Sequence, residues 1–212
     1  MAARGRLTFS FCAILILFGV NFVVYLLSAS QRTVTVENLD RSLNRVAVAS
    51  AVHQDLDNVS KEVALLSQLK YEGEAQPPDP REQQAFFQRV DGIKPKIAQL
   101  QTLYDPGQRK EVDELASSYD ELAQSWKNFY QYLGVQQAKA VAELAVSGDP
   151  LTERVVTQLV PSVQRRASEQ AMAAKNAFHD TSQRTDQFAF VVFIISLVAA
   201  SLFGVLGLQS TG

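Results

Sequence analysis

The chain has 212 residues, 47% of them hydrophobic and 20% charged, with a formal net charge of −2. Those averages describe a small soluble protein, yet all 20 basic and 22 acidic side chains lie in residues 1–6 or 32–186, which excludes a plain soluble globule. Near-zero net charge without a basic cluster excludes a nucleic-acid binder that works by phosphate neutralisation, and the single cysteine, Cys12, excludes a disulfide framework or a cysteine-based metal site.

In chain order, residues 1–6 form a short tail with Arg4 and Arg6, and residues 7–29 are charge-free. That stretch is long enough to cross a hydrocarbon core of about 30 Å and is a helix by necessity, since lipid offers the backbone no other partner. The competing reading is a signal peptide cut at Ser28-Ala29-Ser30, which predicts a mature amino terminus at Gln31. The apolar run exceeds the roughly 7 to 15 residues of a signal-peptide core, which favours an uncleaved anchor. The basic tail places the amino terminus in the cytoplasm, although Arg32, Arg41 and Arg45 follow the span. Asn21 is expected to pack against another helix.

Three Asp-Pro pairs punctuate the middle: Asp79-Pro80, Asp105-Pro106 and Asp149-Pro150. Aspartate is a good N-cap and proline suits the first helical position, so each pair reads as a helix start. Glu82 and Gln108 complete capping boxes, and Gly73 through Pro78, Tyr104 and Ser147-Gly148 act as breakers ahead of the starts. Four helices are predicted, near 30–72, 80–103, 106–146 and 150–187, with kinks at Pro95 and Pro161. Their apolar spacing alternates three and four, as in a bundle seam. The second carries Phe86, Val90, Ile93, Ile97 and Leu100; the third Val112, Leu115, Tyr119, Leu122, Trp126, Phe129 and Leu133. The first carries Leu39, Leu43 and Val46, then Val52, Leu56, Val59, Val63 and Leu66, with a slip of register between the two sets. At 1.5 Å per residue the first, third and fourth helices come to about 60 Å each. Residues 188–208 are a second charge-free span, on which Ser196, Ala200 and Gly204 form a small-residue face suited to close packing in a dimer. Residues 209–212 end the chain. The expected fold is all-α, an up-down-up-down four-helix bundle (30–187) flanked by two transmembrane helices, with both termini cytoplasmic.

No phosphate-binding glycine loop, zinc-ligand spacing or nucleophile motif occurs, so neither an enzyme nor a cofactor or metal site is expected. His53 and His179 read as solvated helix residues, and the sequon Asn58-Val59-Ser60 falls inside a helix pattern. The seam of the fourth helix runs Val156, Leu159, Val163, Arg166, Gln170, Ala173, Ala177, so an arginine and a glutamine stand where leucine is expected. Arg166 falls level with the register slip of the first helix, near Arg45 and His53. This predicts a polar mid-bundle cavity for a small anion, with Arg166, joined by Arg165 or Arg45, as the carboxylate partner and Gln170 beside them. The alternative is that these arginines snorkel or pair at the surface with Glu169 and Asp55.

The stretch YDELAQSWKNFYQYLGVQQAKAVAELAVSGDP sets aromatics ahead of a small-residue run and a Gly148-Asp149 turn, before a helix interrupted by Pro161. With the short basic start and the two spans, it resembles the four-helix-bundle sensory domain of bacterial methyl-accepting chemotaxis proteins. The resemblance implies a periplasmic ligand-binding domain in the inner membrane, a parallel homodimer, a small organic acid as ligand, and signalling by displacement of the last helix through the second span. In that family the second span leads into a HAMP linker and an output module, which are not found after Leu208. The chain is therefore expected to be one half of a receptor or to work with a full-length or separate signalling partner. The rival expectation is a membrane-anchored adaptor or scaffold that binds no small molecule.

Overall fold

The structure is a computed structural model that describes residues 2–68 and 77–209, with side chains at position 12 and throughout 15–68 and 77–202. The side chains of Arg4 and Arg6, connection residues 73–76, the Gly204 part of the small-residue face, and residues 210–212 lie outside what is described. Among the described residues the chain is helical without strands. Helix α1 spans Ala2–Gln68, α2 Pro80–Leu103 and α3 Lys110–Tyr132. Helix α4 runs over residues 137–209: it is α-helical over Gln137–Glu143, Asp149–Thr152 and Val160–Gln209, and π-type over Leu144–Gly148 and Glu153–Leu159. Two compact units form, one from Arg41–Ala171 and the other from Met1–Asp40 with Met172–Gly212.

Of the three predicted Asp-Pro helix starts, one is realised. Asp79 caps α2, its Oδ1 accepting from Arg81 N–H at 2.7 Å with Pro80 at the first helical position. Asp105-Pro106 instead opens a turn: Gln108 N–H donates to the Asp105 carbonyl at 2.8 Å, and α3 begins only at Lys110. Proline at the second position of such a turn is as favourable as at a helix start, so the dipeptide alone does not choose between them. Asp149-Pro150 lies inside α4, and the turn between α3 and α4 is at residues 133–136. There Leu133 (φ −59, ψ 119) and Gly134 (φ 71) make a type II turn closed by Val135 N–H to the Tyr132 carbonyl. The left-handed φ at its third position is what calls for glycine. With α3 ending at Tyr132, α2 and α3 have 24 and 23 residues, a matched pair and not a short helix beside a long one.

How α4 tolerates Pro150 and Pro161 follows from its wider turns. A proline inside a helix lacks its N–H and presses its ring on the carbonyl four residues back. Each π-type stretch of α4 ends two residues before a proline, Leu144–Gly148 ahead of Pro150 and Glu153–Leu159 ahead of Pro161. Such turns relieve the clash without ending the helix. Gly148 is a packing residue here: a Cβ on it would meet Leu144 Cδ2 at 2.8 Å and Ser125 Oγ on α3 at 3.4 Å.

One hydrophobic core fills the 41–171 unit and draws on all four helices. The predicted seams of α2 and α3 are buried at every position, and Trp126, Tyr119, Phe86 and Phe129 are the largest fully enclosed side chains. Phe86 stacks on Tyr130 with ring centroids 4.4 Å apart. Side-chain pairs join successive helices: Lys96–Asp55 links α2 to α1, Lys94–Asp120 links α2 to α3, and Arg154–Glu114 links α4 to α3.

The other two seams differ from expectation. On α1 the buried residues are Ser42, Arg45, Val48, Ala49, Val52, Leu56, Val59 and Val63; apart from Val48 beside Ala49 they alternate three and four, while Leu43 is exposed. There is no register slip; the seam passes through polar residues that a search for apolar spacing skips. On α4 the inward positions are Ala140, Leu144 and Gly148, then Val155, Val160, Val163, Ala167 and Ala171. The step of five from Val155 to Val160 coincides with the π-type stretch, which acts as a one-residue insertion. Below Val163, alanines face inward and Arg166 and Gln170 flank the seam. Ala173 and Ala177, expected on the seam, are exposed.

In the second unit, large apolar side chains of α1 and α4 lie open, among them Ile16, Phe18, Phe22, Phe190 and Ile195. Helices α1 and α4 each contain a stretch long and apolar enough to cross a membrane. Asn21 does pack across: its Nδ2 donates to Ser196 Oγ at 2.7 Å and to the Leu17 carbonyl at 2.9 Å.

Candidate functional site

The residues expected to line a polar site fall into two groups. Arg45 and Gln170 meet, Arg45 Nη1 donating to Gln170 Oε1 at 3.0 Å. Arg166 points elsewhere and pairs with Glu111 of α3 at 3.1 Å. Arg165 is exposed and joins neither.

Arg45 is the charge enclosed by the seam, with 7% of its surface exposed. Its Nε and Nη2 donate to the Leu103 carbonyl at 2.8 and 2.6 Å, and its guanidinium carbon lies 4.4 Å from the Tyr104 ring centroid. Leu103 ends α2, so its carbonyl lacks a helical partner and sits at the negative end of the helix dipole. A buried guanidinium is costly alone, but the fork, the dipole and the aromatic face together offset that cost. Ala167 and Ala171 on α4 are small enough to leave volume for so large a side chain in the same core.

Around Arg45 lie groups that sequence reasoning did not assemble. Tyr104 is buried, and its hydroxyl has no hydrogen-bond partner. Burial raises its pKa above the usual phenol value; the Arg45 and Arg166 guanidinium groups oppose that rise and Glu111 adds to it. Glu111 is half-buried: one oxygen takes Arg166, and the other, Oε2, is enclosed and unpartnered. Tyr104 and Glu111 flank the Asp105-Pro106 turn, and only that turn hints from sequence that they come together. Further along α1, His53 Nδ1 lies 2.7 Å from Gln164 Oε1, and Gln164 Nε2 donates to Ser50 Oγ at 3.2 Å. His53 is thus half-buried and bonded to α4, not a solvated residue, while His179 is exposed.

The result is a polar strip from α1 to α4, Ser50–Gln164–His53 and Arg45–Gln170, continued by Tyr104 to Arg166 and Glu111. It offers guanidinium and phenol donors to an acceptor, the chemistry a small carboxylate requires. Comparisons with protein families, curated proteins and solved structures give no match.

Proposed function

We propose that the chain is the sensory module of a two-span membrane receptor, in which a four-helix bundle outside the membrane converts occupancy by a small organic acid into movement of α4. The observation that carries this reading is the polar strip, because it ties together the two helices that also bear the exposed apolar stretches. An apolar core holds one packing; a strip of hydrogen bonds with unpartnered donors and acceptors inside it has more than one way to be satisfied. The ligand carboxylate takes Arg166 and the Tyr104 hydroxyl, releases Glu111, and draws on Arg45 and Gln170 only by rearranging their bonds. For the signal to pass, the acid must bind one packing better than the other. The bundle is up-down-up-down, the termini lie in the cytoplasm, the membrane is a bacterial inner membrane, and the working unit is a homodimer.

Calorimetric titration of the detergent-solubilised full chain with a panel of small organic acids tests the site. The expected result is saturable binding by at least one acid, weakened about tenfold or more in Arg166→Ala; unchanged binding in that variant excludes the assignment. A second reading, a membrane-anchored adaptor without a small-molecule ligand, is favoured by exposed Val135, Val141 and Val146 at the α3–α4 turn and the start of α4. It predicts no binding by any acid and loss of a protein partner when these valines are made serine.

A further inference from the structure

Within the unit that holds the exposed apolar stretches, α1 and α4 leave a groove of about 410 Å³ between them. Small residues create it: Ser28 and Ala29 on α1 and Ala189 on α4 keep the helices from filling the space, and Val24 and Phe193 wall it. Asn21 closes one end and Arg32 the other. From Asn21 to Arg32 the helix rises about 16 Å, close to half of a hydrocarbon core about 30 Å thick. The groove therefore has the length of one acyl chain in one leaflet, and its polarity runs the same way as that of a lipid.

The polar end is specific. Arg32 Nη2 pairs with Asp186 of α4, and the two side chains are 45% and 65% exposed. An ion pair this open to water adds little by itself and yields readily to a third party. Arg32 has further N–H donors and Asp186 further acceptor positions, so together they present a cation and an anion side by side. A headgroup with phosphate and a primary ammonium complements both. A purely anionic headgroup meets repulsion from Asp186, and a quaternary ammonium brings no N–H to donate.

We propose that this groove is a binding site for a phosphatidylethanolamine-type lipid, its phosphate held by Arg32, its ammonium by Asp186, and one acyl chain laid along Ala29, Ala189 and Phe193 to Asn21. The proposal rests on the reading of these stretches as membrane spans. The full chain is reconstituted in nanodiscs of equal parts phosphatidylethanolamine, phosphatidylglycerol and phosphatidylcholine with identical acyl chains, and retained lipid is counted by native mass spectrometry. Phosphatidylethanolamine is expected to be enriched roughly three- to fivefold over each of the others. Arg32→Gln and Asp186→Asn each bring it to parity with one competitor or both, and Ala189→Leu, which fills the groove without touching a charge, lowers retention of all three. Equal retention in the wild type, or wild-type enrichment in both charge variants, overturns the lipid site while leaving the spans intact. Failure of the chain to enter nanodiscs, with release from membranes by alkaline carbonate, overturns the spans and the site together.

Discussion

Helices α2 and α3 differ from α1 and α4 in what they bury. The first pair presents an apolar seam at every turn, with Phe86, Val90, Ile93, Ile97 and Leu100 on α2 and Val112, Leu115, Tyr119, Leu122 and Trp126 on α3, where the buried polar residues are two small serines, Ser118 and Ser125, and no charge. The second pair interrupts its seam with Ser42 and Arg45, replaces large residues by Ala167 and Ala171, and widens α4 ahead of two prolines. Apolar interdigitation specifies one packing strongly, whereas hydrogen-bonded polar contacts specify partners and can be exchanged for others. Under the proposed sensory function, the contrast puts stability in α2 and α3 and responsiveness in α1 and α4.

Removal of core volume gives the largest expected effect. Trp126→Ala leaves a cavity in the fully enclosed centre of α3 and is expected to cost about 3 to 5 kcal/mol, read by denaturation of the full chain followed by circular dichroism. A loss below about 1 kcal/mol breaks the division between the two pairs. Arg45→Met keeps much of the length but leaves the Leu103 carbonyl and Gln170 without their donor, at a cost of about 2 kcal/mol. Arg45→Lys sharpens the point, since a lysine keeps the charge without the fork and recovers only part of the loss. Gly134→Ala forces a side chain into the left-handed region and costs about 1 kcal/mol.

A smaller effect, confined to alkaline solution, comes from buried phenols. Burial raises the pKa of Tyr104, Tyr119 and Tyr130 above the ordinary 10.0, for Tyr119 with help from Asp91, Asp120 and Asp55. The folded state then holds these protons more tightly than the unfolded one, so their contribution is complete below pH 10 and is lost as pH rises through the folded-state values. Tyr104→Phe is expected to flatten the fall of melting temperature with pH above 10, and an identical slope in wild type and variant contradicts this. The smallest effect belongs to Lys61→Ala, which breaks an exposed pair with Asp57 and changes stability by less than about 0.5 kcal/mol.

Much of the core was legible in the sequence because apolar spacing alone carries it. Every seam residue assigned to α2 and α3 is buried, and Asp79 caps α2 as its Pro80 suggests. The helix ends were less legible. An Asp-Pro pair suits a cap, a turn or a relieved helix interior, and all three outcomes occur in this one chain. Gly134, which does mark the α3–α4 turn, is a single glycine within an otherwise helical apolar pattern. Of the four residues expected to line a site, Arg45 and Gln170 meet, whereas Arg166 pairs with Glu111 and Arg165 is exposed. Their context was hidden for a physical reason: Ser42 and Arg45 occupy a core stripe that hydrophobicity does not reveal, and the wider turns of α4 move its inward face off simple spacing. Tyr104 and Glu111 become site residues only through the turn that joins α2 to α3.

Amide hydrogen exchange of the full chain, measured with and without each member of an organic-acid panel, tests the division of labour directly. The account predicts that a binding acid slows exchange in α1 and α4 around residues 42–56 and 153–171, alters it at the turn over 103–112 that carries Tyr104 and Glu111, and leaves the rest of α2 and α3 unchanged. No change with any acid, or protection centred on α2 and α3, contradicts it.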